Sequence, residues 1–226
     1  MMDETDPMFA PEIVGPTVDF LAPLAADGAL EFAVGRGRIA LPLAECGARV
    51  HGIDIAPEVL EQLRSKPDGD RVATTLGDYT TTTVKGPFSL VYLVWNSLSN
   101  VTTQEGQVAA FTNAAAHLSP GGRFVVEMFV PQLRRLPPGQ DFVPFDVTPE
   151  HLGFDEYDVL TQRLVSHHYS PGRGSYGSGE FRYVWPSELD LMARLAGMTL
   201  TERWAGWQRE PFTAESESHV SVWTLG

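Results

Sequence analysis

A short apolar run, Ala29–Val34, leads directly into the turn Gly35-Arg36-Gly37 and then into a helical pattern. Glycines at such a turn let the backbone approach a ligand where a side chain would clash. The N-terminus of the following helix offers free N–H groups and a positive dipole end. The segment therefore predicts a strand, a tight binding loop and a helix at the start of an α/β fold.

Further short apolar runs continue the alternation of strands and helices. They are Arg49–Ile53, Val72–Leu76, Phe88–Val94 and Arg123–Phe129. Near-continuous apolar strands separated by helices indicate a mostly parallel sheet with helices on both faces. Beyond residue 130 the pattern changes to that of an antiparallel meander, and a last helix with two closing strands follows it. We predict that the meander is inserted after the fifth strand.

Composition limits the partners of the chain. Its 226 residues include 16 basic and 29 acidic residues, a net charge of −13, which disfavours binding to nucleic acid or to an anionic membrane. No apolar run approaches the ~20 residues of a membrane span. Residues 1–6 are acidic and lack a signal-peptide pattern, and Cys46 is the single cysteine. We expect a cytoplasmic monomer or homodimer that acts on a small-molecule substrate.

The glycine loop alone fits more than one ligand. Gly35-x-Gly37-x-x-Ala40 matches the dinucleotide fingerprint, and Asp54, at the end of the second predicted strand, suits a ribose in either reading. Glu31 lies inside the first strand, and a buried carboxylate beside the loop suits a cationic amino group better than a pyrophosphate. Asp78 follows the third strand, and Leu118-Ser119-Pro120-Gly121-Gly122 introduces the fifth. If the loop bound a nicotinamide dinucleotide, Glu31 and residues 118–122 would have no role.

At these residues the sequence resembles the class I S-adenosylmethionine-dependent methyltransferases, whose four characteristic elements occur here in order over about residues 28–130. The resemblance implies a Rossmann-like, seven-stranded sheet and S-adenosylmethionine as methyl donor. It implies a single domain over 1–226, with a donor-binding half (28–130), an inserted substrate cover (131–184), and a closing helix and two strands (185–226). The cover resembles that of bacterial sugar-amine N-methyltransferases and related natural-product enzymes.

The resemblance also assigns roles to residues. It implies that Glu31 anchors the methionine ammonium group through the loop, that Gly35 and Gly37 let the backbone pass close to the donor, and that Asp54 holds the ribose hydroxyls. The adenine would then lie among Ile55, Asp78 and Tyr79, and Trp95 and Asn96 would face donor and substrate. Ala33 stands where the family has its first glycine, and Arg36 replaces a small residue, which could weaken donor binding.

Candidates for a general base are less specific. His167 and His168, adjacent on a predicted strand, must point to opposite faces, so they cannot bind one ion together, and we expect no metal. The inward one is either a packed core residue or a base near the substrate. Glu127, near the carboxyl end of the fifth strand, competes for that role. We predict methyl transfer to an oxygen or nitrogen atom. The alternatives are cyclisation or rearrangement with the same donor, or a non-catalytic partner subunit.

Overall fold

The structure, a computed structural model, describes residues 7–226, so the acidic segment at 1–6 lies outside the described residues. The helices are α1 (Pro11–Leu21), α2 (Ala40–Glu45), α3 (Pro57–Ser65), α4 (Gln104–His117) and α5 (Pro186–Leu195). The strands are β1 (Ala29–Phe32), β2 (Val50–Asp54), β3 (Val72–Leu76), β4 (Phe88–Leu93), β5 (Leu118–Phe129), β6 (Phe142–Val147), β7 (Leu152–Asp158), β8 (Arg163–Ser170), β9 (Ser175–Arg182), β10 (Met198–Trp204) and β11 (Ser218–Leu225).

Seven strands form the main sheet, in the order β10-β11-β5-β4-β1-β2-β3. All neighbouring pairs from β5 to β3 are parallel, and β11 runs antiparallel to both β5 and β10. The meander forms a second sheet of four antiparallel strands, β6-β7-β8-β9. The predicted Rossmann-like sheet and the antiparallel insertion after strand five are both confirmed.

Helices cover both faces of the main sheet because its strands are apolar on both sides. Residues of α1, α2 and α3 pack into one core cluster, which includes Val125 of β5. Residues of α4 and α5 pack into the other, which includes its neighbours Phe124 and Val126. Alternate residues of one strand thus enter different cores. Residues 7–226 contain no helix both long and apolar enough to cross a membrane.

Two local features differ from the sequence expectation. The Ser-Pro-Gly-Gly segment, expected to precede the fifth strand, is a bulge within β5, because Phe88 pairs with Leu118 whereas Leu90 already pairs with Arg123. In the second sheet the glycine- and serine-rich segment 171–179 is only partly a turn, since β9 begins at Ser175 and pairs along its whole length with β8. Cross-strand pairing overrides a composition that is typical of loops.

A buried ion pair attaches the small sheet to the body. The Arg182 guanidinium, at the end of β9, donates to Glu188 Oε1 of α5 at 2.7 Å and to Gln107 Oε1 of α4 at 2.6 Å. A third bond, at 2.9 Å, reaches Gln162 Oε1 before β8. The side chains of Arg182 and Glu188 are 6% and 15% exposed. This network fixes the end of the small sheet against two helices of the main body.

Candidate active site

The strand order reverses beside β1, which lies between β2 and β4. In open α/β sheets ligands bind beyond the carboxyl ends of the strands at such a switch point. The segments after β1, β2, β3 and β4 carry the predicted site residues, and the parallel pairing brings those segments to the same edge of the sheet. The topology of the sheet alone therefore places the site at this edge.

The two glycines of the loop after β1 serve different purposes. Both have positive φ, 53° at Gly35 and 74° at Gly37. A Cβ on Gly37 would clash with the side chain of Leu63 in α3, whereas a Cβ on Gly35 would meet no atom within 4 Å. Gly37 is thus required for close packing of the loop against a helix. Gly35 leaves open space beside the backbone, as a ligand-binding loop requires.

Ala33 adopts a backbone conformation that alanine disfavours. Its φ is 56°, in the left-handed region where a Cβ crowds the neighbouring carbonyl oxygen. We expect Ala33→Gly to raise the free energy of unfolding by about 1 kcal/mol, since relief of strain exceeds the extra entropy of an unfolded glycine. Urea unfolding measures the change. Gly172→Ala, at an exposed position without positive φ where a Cβ meets nothing within 4 Å, is a control for the glycine–alanine difference at an unstrained site. Equal stability of Ala33→Gly and the wild type would show that the backbone at Ala33 is not strained.

Asp54 connects the loops that follow β1 and β2. Its Oδ2 atom accepts from the Gly35 N–H at 2.7 Å, and Oδ1 accepts from the Ala56 N–H at 3.0 Å. The residue is 9% exposed. Each carboxylate oxygen can accept a second hydrogen bond. Asp54 can therefore hold the glycine loop in place and still receive hydroxyl groups of a ligand.

Glu31 is a buried carboxyl group under the same loop. It accepts a hydrogen bond from Tyr92 Oη at 2.8 Å and another from the backbone of Ala40. Burial raises the pKa of Glu31 to about 8, against the lowering effect of these bonds and of Arg38. A buried carboxylate of this kind is stabilised by a cation placed beside it.

The raised pKa of Glu31 predicts how stability depends on pH. Between the unfolded value of 4.5 and the folded value of about 8, the folded protein binds the extra proton, so its stability falls as pH rises through this window. We expect the melting temperature to decline from pH 6.5 to pH 8, above the range in which the lowered pKa values of His219 and His51 make stability rise with pH, and Glu31→Gln to reduce that slope. Thermal unfolding at each pH tests this, with Glu58→Gln on the surface of α3 as control. Parallel curves for wild type and Glu31→Gln would refute it.

A second group of residues lies beyond β3. A cavity of about 430 Å³ is lined by Ile55, Asp78 and Tyr79 together with residues 100–103. Ile55 is 71% exposed, an unusual state for a large apolar side chain, and Tyr79 stacks on Phe32 with ring centroids 5.3 Å apart. The pKa of Tyr79 is raised, mainly by burial, so the Tyr79 hydroxyl stays neutral. The cavity offers apolar walls with one carboxylate, Asp78.

Trp95 and Asn96 form a rigid turn after β4, with φ of 57° and 58°. Glu127 of β5 holds this turn, since its Oε2 accepts from the Trp95 N–H at 2.8 Å. Its Oε1 accepts from Trp207 Nε1, also at 2.8 Å. Asn96 Oδ1 accepts from the Phe129 N–H at 2.7 Å. Both oxygens of Glu127 are therefore engaged in positioning two tryptophans.

The sequence analysis did not predict that residues before α1 line the site. Met8 and Phe9 line a cavity of about 170 Å³ together with Glu31, Ala33 and Gly35. The Arg36 guanidinium lies 4.7 Å from the Phe9 ring centroid, and Arg38 lies 4.2 Å from that of Trp95. The aromatic ring of Phe9 was the only sequence signal for this contact. Because Phe9 is one of 12 phenylalanines, it could not be singled out.

The two histidines of β8 lie on opposite faces of the small sheet. His167 stacks on Phe154 and contacts Tyr176 Oη and Glu156 Oε2, at 2.6 and 3.2 Å. His168 contacts His151. It shares its face with Leu164, which packs toward Phe129 at the end of β5. The structure thus separates the two candidates, and His168 is the more exposed of the two. Within residues 7–226 no group of three or more His, Cys, Asp or Glu side chains could hold a metal ion.

Comparison with known proteins identifies the fold and family. The family described as "Methyltransferase domain" matches residues 29–122. The CcbJ methyltransferase of Streptomyces caelestis superposes with a TM-score of 0.82 at 34% identity, over 93% of this chain and 89% of that one. A cypemycin N-terminal methyltransferase from a Streptomyces species is 27% identical over 210 residues, 88% of this chain and 84% of the relative.

A further solved structure supports the fold. The amino pentose methyltransferase CalS10 of Micromonospora echinaspora, solved with S-adenosylmethionine bound, has a TM-score of 0.70 at 20% identity, over 95% of this chain and 91% of that one. These likenesses extend beyond the glycine loop and its acids to nearly the whole chain. The protein belongs to the class I S-adenosylmethionine-dependent methyltransferases.

Proposed function

We propose that this methyltransferase transfers a methyl group to an amine nitrogen of a small natural product or a peptide. The observation that carries the proposal is the match to the cypemycin N-terminal methyltransferase, which covers the small sheet as well as the donor half. Two structural neighbours, an amino pentose methyltransferase and a glycopeptide N-methyltransferase, are in keeping with it. The net charge of −13 favours a cationic ammonium acceptor over an anionic one.

We further propose how the donor, S-adenosylmethionine, lies in the site. Its methionine end would occupy the cavity of about 170 Å³, with its ammonium group near Glu31 and its chain beside Gly35. The open side of Gly35 and the raised pKa of the buried Glu31 both suit a cationic ligand at this place. The ribose would bind Asp54, and the adenine would lie in the cavity of about 430 Å³ against Ile55 and Tyr79.

The reaction requires no covalent bond between the substrate and the residues of this protein. The sulfonium of the donor supplies an already activated methyl group. The chain's residues hold the two reacting centres in line and exclude water. The Trp95–Asn96 turn, fixed by Glu127 and Phe129, would form a rigid wall beside the methyl group. We therefore assign Glu127 a positioning role, because its two oxygens hold the Trp95 N–H and the Trp207 Nε1–H.

Mass spectrometry of the products with paired acceptors tests the nitrogen preference. The purified chain and donor are incubated with a short peptide amide that has a free α-amino group, and with its N-acetylated counterpart. An amino sugar glycoside and its hydroxyl analogue form a second pair. Methylation of a free amine, but of neither amine-free partner, with equimolar S-adenosylhomocysteine, is the expected result. Methylation of the hydroxyl analogue would show that the acceptor atom is oxygen and would contradict the proposed nitrogen acceptor.

The same assay addresses the two alternative functions. A methylated product excludes a cyclase or rearrangement mechanism, and turnover by this chain alone excludes a non-catalytic partner subunit. Titration calorimetry with S-adenosylmethionine and S-adenosylhomocysteine measures donor binding independently of any acceptor. A chain that binds both sulfur ligands but forms no methylated product would contradict the proposed reaction and leave the donor site intact.

A further inference from the structure

A short 3₁₀ turn, Pro7–Phe9, lies beside the cavity in which we place the methionine end of the donor. The chain continues from this turn into α1, whose Val14 is buried in the core cluster shared with α2 and α3. One end of the turn is thus attached to the body of the protein. Met8 and Phe9 form part of the wall of the cavity that also contains Glu31. We call these two residues the covering segment.

Two cationic groups lie over the Phe9 ring. The Arg36 guanidinium lies 4.7 Å from the ring centroid, and the Lys66 ammonium lies 5.0 Å from it. Both distances are within the range of cation–π attraction, which strengthens when the groups are withdrawn from water. All three residues are half-buried. The Phe9 ring is therefore held from two different parts of the fold, the glycine loop and the end of α3.

A third cation connects the covering segment with the turn after β4. Arg38 Nη1 donates to the Met8 carbonyl oxygen at 3.4 Å, and the Arg38 guanidinium lies 4.2 Å from the Trp95 ring centroid. Arg38 and Trp95 also line the cavity. The covering segment is thus tied to both loops between which we place the methionine end of the donor.

The covering segment gives a role to Arg36, which stands where the family has a small residue. A small side chain at this position could not reach Phe9, and Lys66 alone would then hold the ring. Arg36 lies between Gly35 and Gly37, so its side chain starts from the backbone that the donor is proposed to pass. The sequence suggested that Arg36 weakens donor binding, whereas its contact with Phe9 favours retention of the donor.

We propose that Arg36 is a positioning residue, which retains the donor by holding Phe9 against the methionine end of S-adenosylmethionine. Lys66 supports the same contact through Phe9, and Arg38 supports it through Met8. The inference rests on the proposed placement of the donor in the cavity of about 170 Å³. Release of the donor, or of its product S-adenosylhomocysteine, then requires the covering segment to separate from Arg36. Until it does, the segment keeps water from the methionine end.

Dissociation of S-adenosylhomocysteine, measured by surface plasmon resonance on the immobilised protein, tests this role. We expect Phe9→Ala to raise koff about tenfold and Arg36→Gln about threefold or more, since one cation–π contact changes an equilibrium roughly threefold to thirtyfold. Arg36→Lys keeps the charge and should stay within about twofold of the wild type. Arg64→Gln is the matched control, because Arg64 is exposed on α3 and donates to Thr74 instead of contacting the segment.

A double variant separates action through Phe9 from direct action on the donor. If Arg36 acts through Phe9, Arg36→Gln should no longer raise koff in a Phe9→Ala background. An Arg36→Gln effect of the same size with and without the Phe9 ring would overturn the proposal, because the arginine would then act on the donor itself. Equal koff for the wild type and Phe9→Ala would overturn it as well.

Proteolysis tests the contact without relying on the donor. Thermolysin cleaves before large apolar residues, and cleavage of the Met8–Phe9 bond reports how often the covering segment leaves the loop. Mass spectrometry identifies the product that begins at Phe9. In the free protein, Arg36→Gln should speed this cleavage about threefold or more, and Arg64→Gln should not change it. Cleavage of Arg36→Gln at the wild-type rate would refute the holding of Phe9 by Arg36.

The two measurements together distinguish the possible failures. If the wild type does not bind S-adenosylhomocysteine but the cleavage rates differ as expected, the contact exists and the proposed donor site is wrong. If the wild type binds this ligand and all variants release it at the same rate, the donor site stands and the positioning role of Arg36 is wrong. Circular dichroism checks that each variant in the comparison is folded.

Discussion

Asp54→Ala should weaken binding of S-adenosylmethionine and S-adenosylhomocysteine at least about 100-fold. The carboxylate accepts from the Gly35 and Ala56 N–H groups, and each hydrogen bond to a charged group contributes roughly 1.5–3 kcal/mol. Its removal releases the glycine loop and also deletes the proposed partner of the ribose hydroxyls. Titration calorimetry measures the change in Kd.

Two further variants separate charge from position in this experiment. Asp54→Asn keeps one acceptor oxygen and should lose about tenfold in affinity, between wild type and alanine. Asp70→Ala, at an exposed position before β3, should bind the donor like the wild type. Circular dichroism checks that each variant is folded. Unchanged donor affinity in a folded Asp54→Ala protein would show that the loop keeps its shape without the carboxylate, and would contradict the proposed ribose contact.

The second large effect concerns stability. Arg182→Met should lower the free energy of unfolding by roughly 3 kcal/mol, because it leaves the partly buried Glu188 carboxylate without its cation and the buried Gln107 Oε1 without the Arg182 donor. The exposed pair of Arg163 and Glu180, also on the small sheet, provides a matched control. Arg163→Met should change the stability little, since solvent screens that pair. Urea unfolding compares the variants, and similar losses in both would mean that burial of the Arg182 pair is not what stabilises the junction.

The sequence was sufficient to predict the parallel strands and the glycine loop of the first half because the signals for them are local. A strand that ends in Gly35-x-Gly37, and acids at the ends of β1, β2 and β3, are each readable within a few residues. Parallel pairing then brings them to one edge without further information. The opposite orientation of His167 and His168 was likewise predictable, because it follows from the alternation of side chains along any strand.

The remaining features depend on contacts between distant residues. Glu127 joins Trp95 and Trp207, which lie 32 residues before it and 80 after it. The partnership of His168 with His151 depends on the register of β7 against β8, and on a bulge in β6 between Pro144 and Asp146. Alternation along a strand specifies a face but not a neighbour. For that reason the base candidates could be proposed from the sequence, whereas their hydrogen-bonded surroundings could not.

The position of β11 within the main sheet bears on how the protein folds during synthesis. Residues 218–225 pair with β5 on one side and with β10 on the other, so the last strand in chain order is an internal strand. Until this strand has left the ribosome, the outer edge of β5 has no partner and can pair with another chain. The small sheet and α5 are made in that interval. A pause in translation just before residue 218 would therefore prolong the aggregation-prone state, whereas a pause after β4 would not expose this edge.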